Sequence, residues 1–247
     1  MLIIANWKAY VETLDRANAL FTASKKVSRT TDCTVVLAPP APFIGVLALK
    51  NKSKVAFAAQ DVSARSGGAE TGETTASMYA AAGASYAIIG HSERRSAGDT
   101  NATVAEKLLH ALAQNLTPVL CVGEHQRDHE GRYLAFVREE IATALAPLTT
   151  KERTRVIIAY EPLWAIGKTA DHAIVPNDLT EMALYIRKVL AELLPGKSAS
   201  RALVLYGGSV EPGNIRDLAR ISRVDGFLIG HASVDEHSFT KLVTELS

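Results

Sequence analysis

Short apolar runs recur along the chain at intervals of about 25 to 35 residues: positions 2–6, 34–38, 55–59, 86–89, 118–122, 156–160, 202–206 and 226–229. Within most of them, neighbouring positions are apolar with little alternation. That pattern predicts parallel strands covered on both faces. Between the runs, residues 12–28, 100–115, 133–148 and 178–194 place apolar side chains three and four apart, as an amphipathic helix requires. Asp178, just after Pro176, is read as an N-cap, and Pro195-Gly196 as a helix stop. A last amphipathic helix is expected over 235–246.

Eight strands alternating with about eight helices, in a chain of 247 residues, predict an α/β protein folded as a closed (β/α)8 barrel. An open doubly wound sheet is the competitor. It would favour a glycine-rich dinucleotide loop after an early strand, and Asn6-Trp7-Lys8 is no such loop. No Pro/Ser-rich linker or low-complexity tract interrupts the alternation, so one domain is expected over residues 1–247.

Hydrophobic residues make up 47% of the chain, enough for a large core. Lys plus Arg number 27 and Asp plus Glu 26, for a net charge of +1 with no basic block, which argues against a nucleic-acid partner. Cys33 and Cys121 both sit in apolar runs and read as small buried residues of a reducing compartment. The apolar start, Met1 to Ala5, is too short for a signal segment, and no run approaches the length that crosses a membrane. The expectation is a soluble, cytoplasmic protein with no membrane partner.

In such a barrel, chemistry gathers where the strands end. The polar residues there are Asn6 and Lys8, Gln60-Asp61, His91-Ser92-Glu93, Glu124, Glu161, Gly207-Gly208-Ser209 and Gly230-His231. Singly, each has a structural explanation: a solvated lysine, a histidine capping a helix, a glycine turn. Together they put an amine, an imidazole, a carboxylate and two glycine turns at one mouth. Glu161 is the most informative. It follows the β-branched run 156–158 and precedes Pro162, Trp164 and Gly167, as a base held still beneath a moving lid would. His125 and His129, four apart, have a spacing that can bind zinc, but a solvated surface explains them and no metal is expected.

The segments Asn6-Trp7-Lys8, Gly90-His91-Ser92-Glu93-Arg94-Arg95, Tyr160 to Gly167 and Tyr206-Gly207-Gly208-Ser209-Val210 resemble the signatures of the triosephosphate isomerase family, as does Ala69-Glu70-Thr71-Gly72-Glu73. They occur in order, from the first strand to the last. The resemblance implies interconversion of dihydroxyacetone phosphate and glyceraldehyde 3-phosphate through an enediol(ate), without a cofactor. Glu161 would be the base, strengthened as a lid removes water around it. His91 would donate to the carbonyl oxygen and shuttle protons. This family is itself the standard worked case of a catalytic histidine kept neutral by a helix N-terminus, and Ser92 to Arg95 is expected to begin such a helix. Asn6 would give a second donor and Lys8 a positive charge. Gly167, Ser209, Gly230 and His231 would cradle the phosphate. Glu93 would pair with Lys8, with Arg94 and Arg95 as competitors. A homodimer is implied, with Thr71 of the third loop inserted beside the partner's site, in the setting of glycolysis or gluconeogenesis.

Three departures from the family pattern stand out. The lid runs from Ala165-Ile166-Gly167 directly into Lys168-Thr169-Ala170, two residues short at its tip. His231 stands where a second glycine is common, and a positive φ there would cost about 1 kcal/mol or more. Ala9-Tyr10 and the short Ser96-Ala97-Gly98-Asp99 segment alter the expected dimer surface. Two alternatives remain at this point. One is another phosphate-binding barrel, acting on a phosphorylated sugar or an indole precursor. The other is a barrel that binds phosphometabolites with impaired turnover because its lid is short.

Overall fold

A computed structural model describes residues 1–165 and 174–246, without the side chain of Lys197. The strands are β1 (Leu2–Asn6), β2 (Thr34–Ala38), β3 (Ala56–Ala59), β4 (Tyr86–Ile89), β5 (Thr117–Val122), β6 (Ile157–Tyr160), β7 (Val204–Tyr206) and β8 (Gly226–Ile229). Each pairs in parallel with its neighbours in sequence, and β8 pairs with β1, so the sheet closes on itself. The (β/α)8 barrel expected from the apolar runs is the observed fold.

Ten α-helices are described: α1 (Leu14–Val27), α2 (Ala41–Leu49), α3 (Ala76–Ala81), α4 (Ser92–Ser96), α5 (Asn101–Ala113), α6 (Arg132–Leu145), α7 (Thr150–Arg153), α8 (Pro176–Leu193), α9 (Ile215–Ile221) and α10 (Glu236–Glu245). The longer ones follow the predicted three-and-four spacing. One cap differs from expectation. Val175, not Asp178, is the N-cap of α8, and Pro176 opens the helix. Proline's fixed φ and missing N–H suit the first helical position, where an amide would lack an intrahelical partner. At α10 the expected cap is present: Asp235 accepts from the Ser238 amide at 2.8 Å.

The strands are apolar on both faces because each face has its own core. Leu2, Ile4, Val36, Ala58, Ile88, Val119, Cys121, Ile157, Ala159 and Leu228 fill the barrel interior. Ile3, Ala5, Leu37, Phe57, Ile89, Leu120, Ile158 and Phe227 pack outward against the helices. Strand alternation then positions the site. Leu2 and Ile4 face inward, so Asn6 does too. Ile157 and Ala159 face inward, so Glu161, two residues on, enters the same end of the barrel. Cys33 and Cys121 are buried and free.

Candidate active site

Asn6 ends β1 and is buried. Its Oδ1 accepts from the Lys8 backbone N–H at 3.0 Å. Lys8 has φ 47°, in the left-handed region. For a residue with a β-carbon this costs on the order of 1–2 kcal/mol, sustained by surrounding bonds. One is the Asn6 contact. Another comes from Gln60, whose Nε2 donates to the Lys8 carbonyl at 2.8 Å. The twist turns the Lys8 side chain so that Nζ lies 2.7 Å from Glu93 Oε1. Of the possible competitors for Glu93, Arg94 is engaged by Asp61 at 2.9 Å and Arg95 by the Gly90 carbonyl at 2.9 Å. Partial burial pushes the Glu93 carboxyl up, but the Lys8 ammonium outweighs it and holds the group below the usual carboxylate range.

His91 is the N-cap of α4. The Glu93 backbone N–H donates to its Nδ1 at 3.2 Å. An imidazole nitrogen that accepts carries no proton, so the neutral ring bears its hydrogen on Nε2. The short helix expected after His91 therefore sets which ring nitrogen can donate. Nε2 lies 3.4 Å from Glu161 Oε1.

Glu161 is 2% exposed. Its backbone N–H donates to the Val122 carbonyl at 2.8 Å, continuing the ladder past β6. Oε2 accepts from the Ser92 N–H at 3.0 Å. Among the described residues, Oε1 has no hydrogen-bond partner. A buried carboxylate oxygen left unpaired is costly. Two glycines make room for this residue. A β-carbon on Gly123 would lie 1.9 Å from the Glu161 carbonyl oxygen, and one on Gly207 2.8 Å from its Cγ.

The segment expected as the lid's first hinge packs on Glu124. Leu163 to Ala165 form a single 3-10 turn after Pro162. Trp164 Nε1 and Tyr160 Oη each donate to Glu124 Oε1 at 2.8 Å. Ser209 Oγ donates to the Ala165 carbonyl at 2.9 Å, joining the seventh strand's loop to the lid's base. The second hinge and Gly167 lie outside the described residues.

A cavity of about 340 Å³ collects Asn6, Lys8, His91, Glu161, Ser209, Gly230 and His231, with Gly207 and Gly208 in its wall. Gly230 faces Lys8: a β-carbon on it would sit 3.4 Å from Lys8 Cε. His231 opens a 3-10 turn and is not among the residues with positive φ. The strain that a histidine would suffer there does not arise. Its ring meets Tyr10 edge-on at 5.9 Å. All the sequence-predicted site residues except Gly167 thus meet at one cavity or, for Glu93, against Lys8.

Sequence reasoning placed three supports at the strand ends but gave them no role. Ser92 acts through its backbone N–H, Gln60 through its side-chain amide, which donates to the Lys8 and Ala38 carbonyls, and Glu124 by anchoring Trp164. Only their strand-end position marked them. His125 packs edge-on against Phe136 at 6.1 Å. Among the described residues, no group of three His, Cys, Asp or Glu is arranged to hold a metal, and no helix is long and apolar enough to cross a membrane.

The triosephosphate isomerase family model matches residues 1–246. The triosephosphate isomerase of Thermus thermophilus is 39% identical over 246 residues, covering 98% of this chain and 97% of the relative. That of Endomicrobium trichonymphae is 38% identical, with 98% and 97% covered. That of Cupriavidus necator is 40% identical, with 96% of each covered.

Proposed function

The chain belongs to the triosephosphate isomerase family, and from that premise we propose that Glu161, His91, Lys8 and Asn6 carry out its reaction. The protein is an aldose–ketose isomerase that interconverts dihydroxyacetone phosphate and glyceraldehyde 3-phosphate. The observation that carries the assignment of roles is the pairing of a buried carboxylate oxygen with His91 Nε2, 3.4 Å away, in a cavity that Lys8 also lines.

Glu161 takes a proton from the carbon beside the substrate carbonyl. The Ser92 N–H now holds one carboxylate oxygen, so the side chain swings from it to face the substrate. Negative charge then grows on the carbonyl oxygen, where His91 Nε2–H and the Asn6 side chain donate. His91 relays a proton between the two oxygens, and protonated Glu161 returns its proton to the neighbouring carbon. The Lys8 ammonium, steadied by Glu93, offsets the charge throughout. Ser209, Gly230 and His231 grip the phosphate, together with Gly167. Binding at this non-reacting end orients the triose and favours lid closure.

The same proposal includes a single domain over 1–247, a cytoplasmic setting and a homodimer. The third loop, residues 65–73, is exposed. A cavity of about 300 Å³ lined by Lys8, Ala9, Gln60, Glu93 and Arg94 is suited to receive Thr71 from a partner. A coupled turnover assay on both trioses tests the roles, with Glu161→Gln as control. Binding of a phosphorylated enediolate analogue without turnover by the unsubstituted protein would favour an impaired, short-lidded binding barrel instead.

A further inference from the structure

On α6 the buried face reads Val137, Glu140, Ile141, Ala144 and Leu145. Four of these are apolar and the second is a carboxylate only 3% exposed. A charge in such a place persists only with partners. Glu140 has two. Its Oε2 accepts from the Gly123 N–H at 2.8 Å, and its Oε1 lies 3.3 Å from Arg95 NH1. Arg95 spends its other donors on the Asn101 side chain, which accepts from NH1 at 2.7 Å, and on backbone. Its Nε donates to the Gly90 carbonyl at 2.9 Å and its NH2 to the Cys121 carbonyl at 3.3 Å.

These bonds converge on the two segments the chemistry needs. Gly90 immediately precedes His91. Gly123 is pressed against the Glu161 backbone, where a β-carbon would lie 1.9 Å from its carbonyl oxygen. The Val122 carbonyl receives the Glu161 N–H, and the Glu124 carbonyl receives that of Leu163. A cavity of about 290 Å³ lies along this joint and shares only Glu161 with the substrate cavity.

We propose that Glu140 is a positioning residue for the isomerisation: by joining the Gly123 N–H to the Arg95 guanidinium, it fixes the end of β5, on which Glu161 rests, relative to the end of β4, which carries His91. It touches no reacting atom. It sets the separation across which base and imidazole work. The proposal rests on Glu161 and His91 being the reacting pair.

The charge on Glu140 is adjustable. Burial pushes its carboxyl up to about 7, against the opposing pull of Arg95 and the Gly123 N–H, with Glu161 and Glu124 adding to the rise. His125 and Asp99 line the same cavity. The neutral acid keeps an acceptor for Gly123 but loses its charge toward Arg95. Glutamine reproduces that neutral form at every pH.

The test measures kcat and KM on glyceraldehyde 3-phosphate, with a melting curve for each variant. Glu140→Ala should lower kcat about tenfold or more and leave KM within about twofold, the signature of misplacement rather than lost binding. Glu140→Gln should recover kcat to within about threefold of the unsubstituted enzyme. The ratio of unsubstituted to Glu140→Gln kcat should be near one at about pH 5.5 and rise to about three by about pH 8.5, because only the former titrates. A merely structural role would leave that ratio flat. If Glu140→Ala shows no cooperative melting, Arg95→Lys replaces it, since a point charge cannot serve Gly90, Cys121 and Glu140 together; it too should lose kcat alone. A kcat within twofold in whichever of the two is folded, a loss carried by KM, or a flat pH ratio overturns the proposal. Glu161→Gln is measured alongside: retained activity there would overturn the assignment of the base, independently of what the Glu140 variants do.

Discussion

The two sides of Glu161 are built on opposite principles. On the substrate side, an oxygen is left unpaired and backbone strain is tolerated. Oε1 of Glu161 has no hydrogen-bond partner among the described residues, His91 Nε2 stands 3.4 Å from it, and Lys8 holds a left-handed φ of 47°. On the far side, nearly every donor is spent. Arg95 bonds two strand-end carbonyls, Asn101 and Glu140, while Glu140 also takes the Gly123 N–H. Unsatisfied groups cost stability, and satisfied buried networks supply rigidity. The contrast shows where each is needed. On the proposed roles, the reacting face keeps an unpaired carboxylate oxygen for a substrate, and the supporting face uses up its donors and so holds the reacting face in place.

Substitutions on each side should therefore fail differently. His91→Gln retains an amide donor but cannot relay a proton, and kcat should fall by about 10²–10³ with the melting temperature nearly unchanged. Lys8→Met removes the cation that pairs with Glu93 and that is proposed to meet the substrate. It should lower kcat/KM by roughly 10² and let the Glu93 carboxyl titrate at higher pH, which NMR titration would detect. Gly207→Ala brings a β-carbon within 2.8 Å of Glu161 Cγ, a clash borne by the base itself. A kcat loss of about tenfold is expected there, from displacement of the carboxylate. A kcat equal to that of the unsubstituted enzyme would show that the base's position is less constrained than its packing indicates.

The smallest effect concerns stability and pH. The folded-state pKa of Glu140, pushed up to about 7, lies above the unfolded value of 4.5. The stability tied to its protonation is complete below 4.5 and is lost as pH rises to about 7. Glu140→Gln does not titrate. Relative to it, the unsubstituted protein should therefore weaken by on the order of 3 kcal/mol between pH 4.5 and 8, read from denaturant unfolding. Equal pH dependence in the two proteins would mean that Glu140 is not destabilised by burial. The same ionisation that costs stability on the supporting face is the one proposed to sharpen catalysis on the other.

The barrel was legible because its strands are buried on both faces, so each appears as an unbroken apolar run. The proposed site was legible because strand parity points Asn6 and Glu161 into the barrel and the strand-end motifs put Lys8 and His91 at the same mouth. Much of the support was not. Ser92 works through its backbone N–H, which carries no residue-specific signal, and Gln60 through a side-chain amide whose carbonyl partners lie far away along the chain. Glu140 breaks the apolar face of α6, but a lone acid on a helix ordinarily reads as surface. The α8 cap was misplaced because both Val175-Pro176 and Asp178 present start signals, and proline's geometry decided. Gly167 and the shortened lid tip lie outside the described residues, so their contribution rests on turnover.

Turnover of glyceraldehyde 3-phosphate by the unsubstituted chain and by Glu161→Gln, prepared and assayed together, addresses the central claim most directly. The account predicts robust isomerisation by the first and a kcat lower by about 10³ or more in the second, with the phosphorylated analogue still bound by both. A Glu161→Gln protein within tenfold of the unsubstituted rate would contradict it.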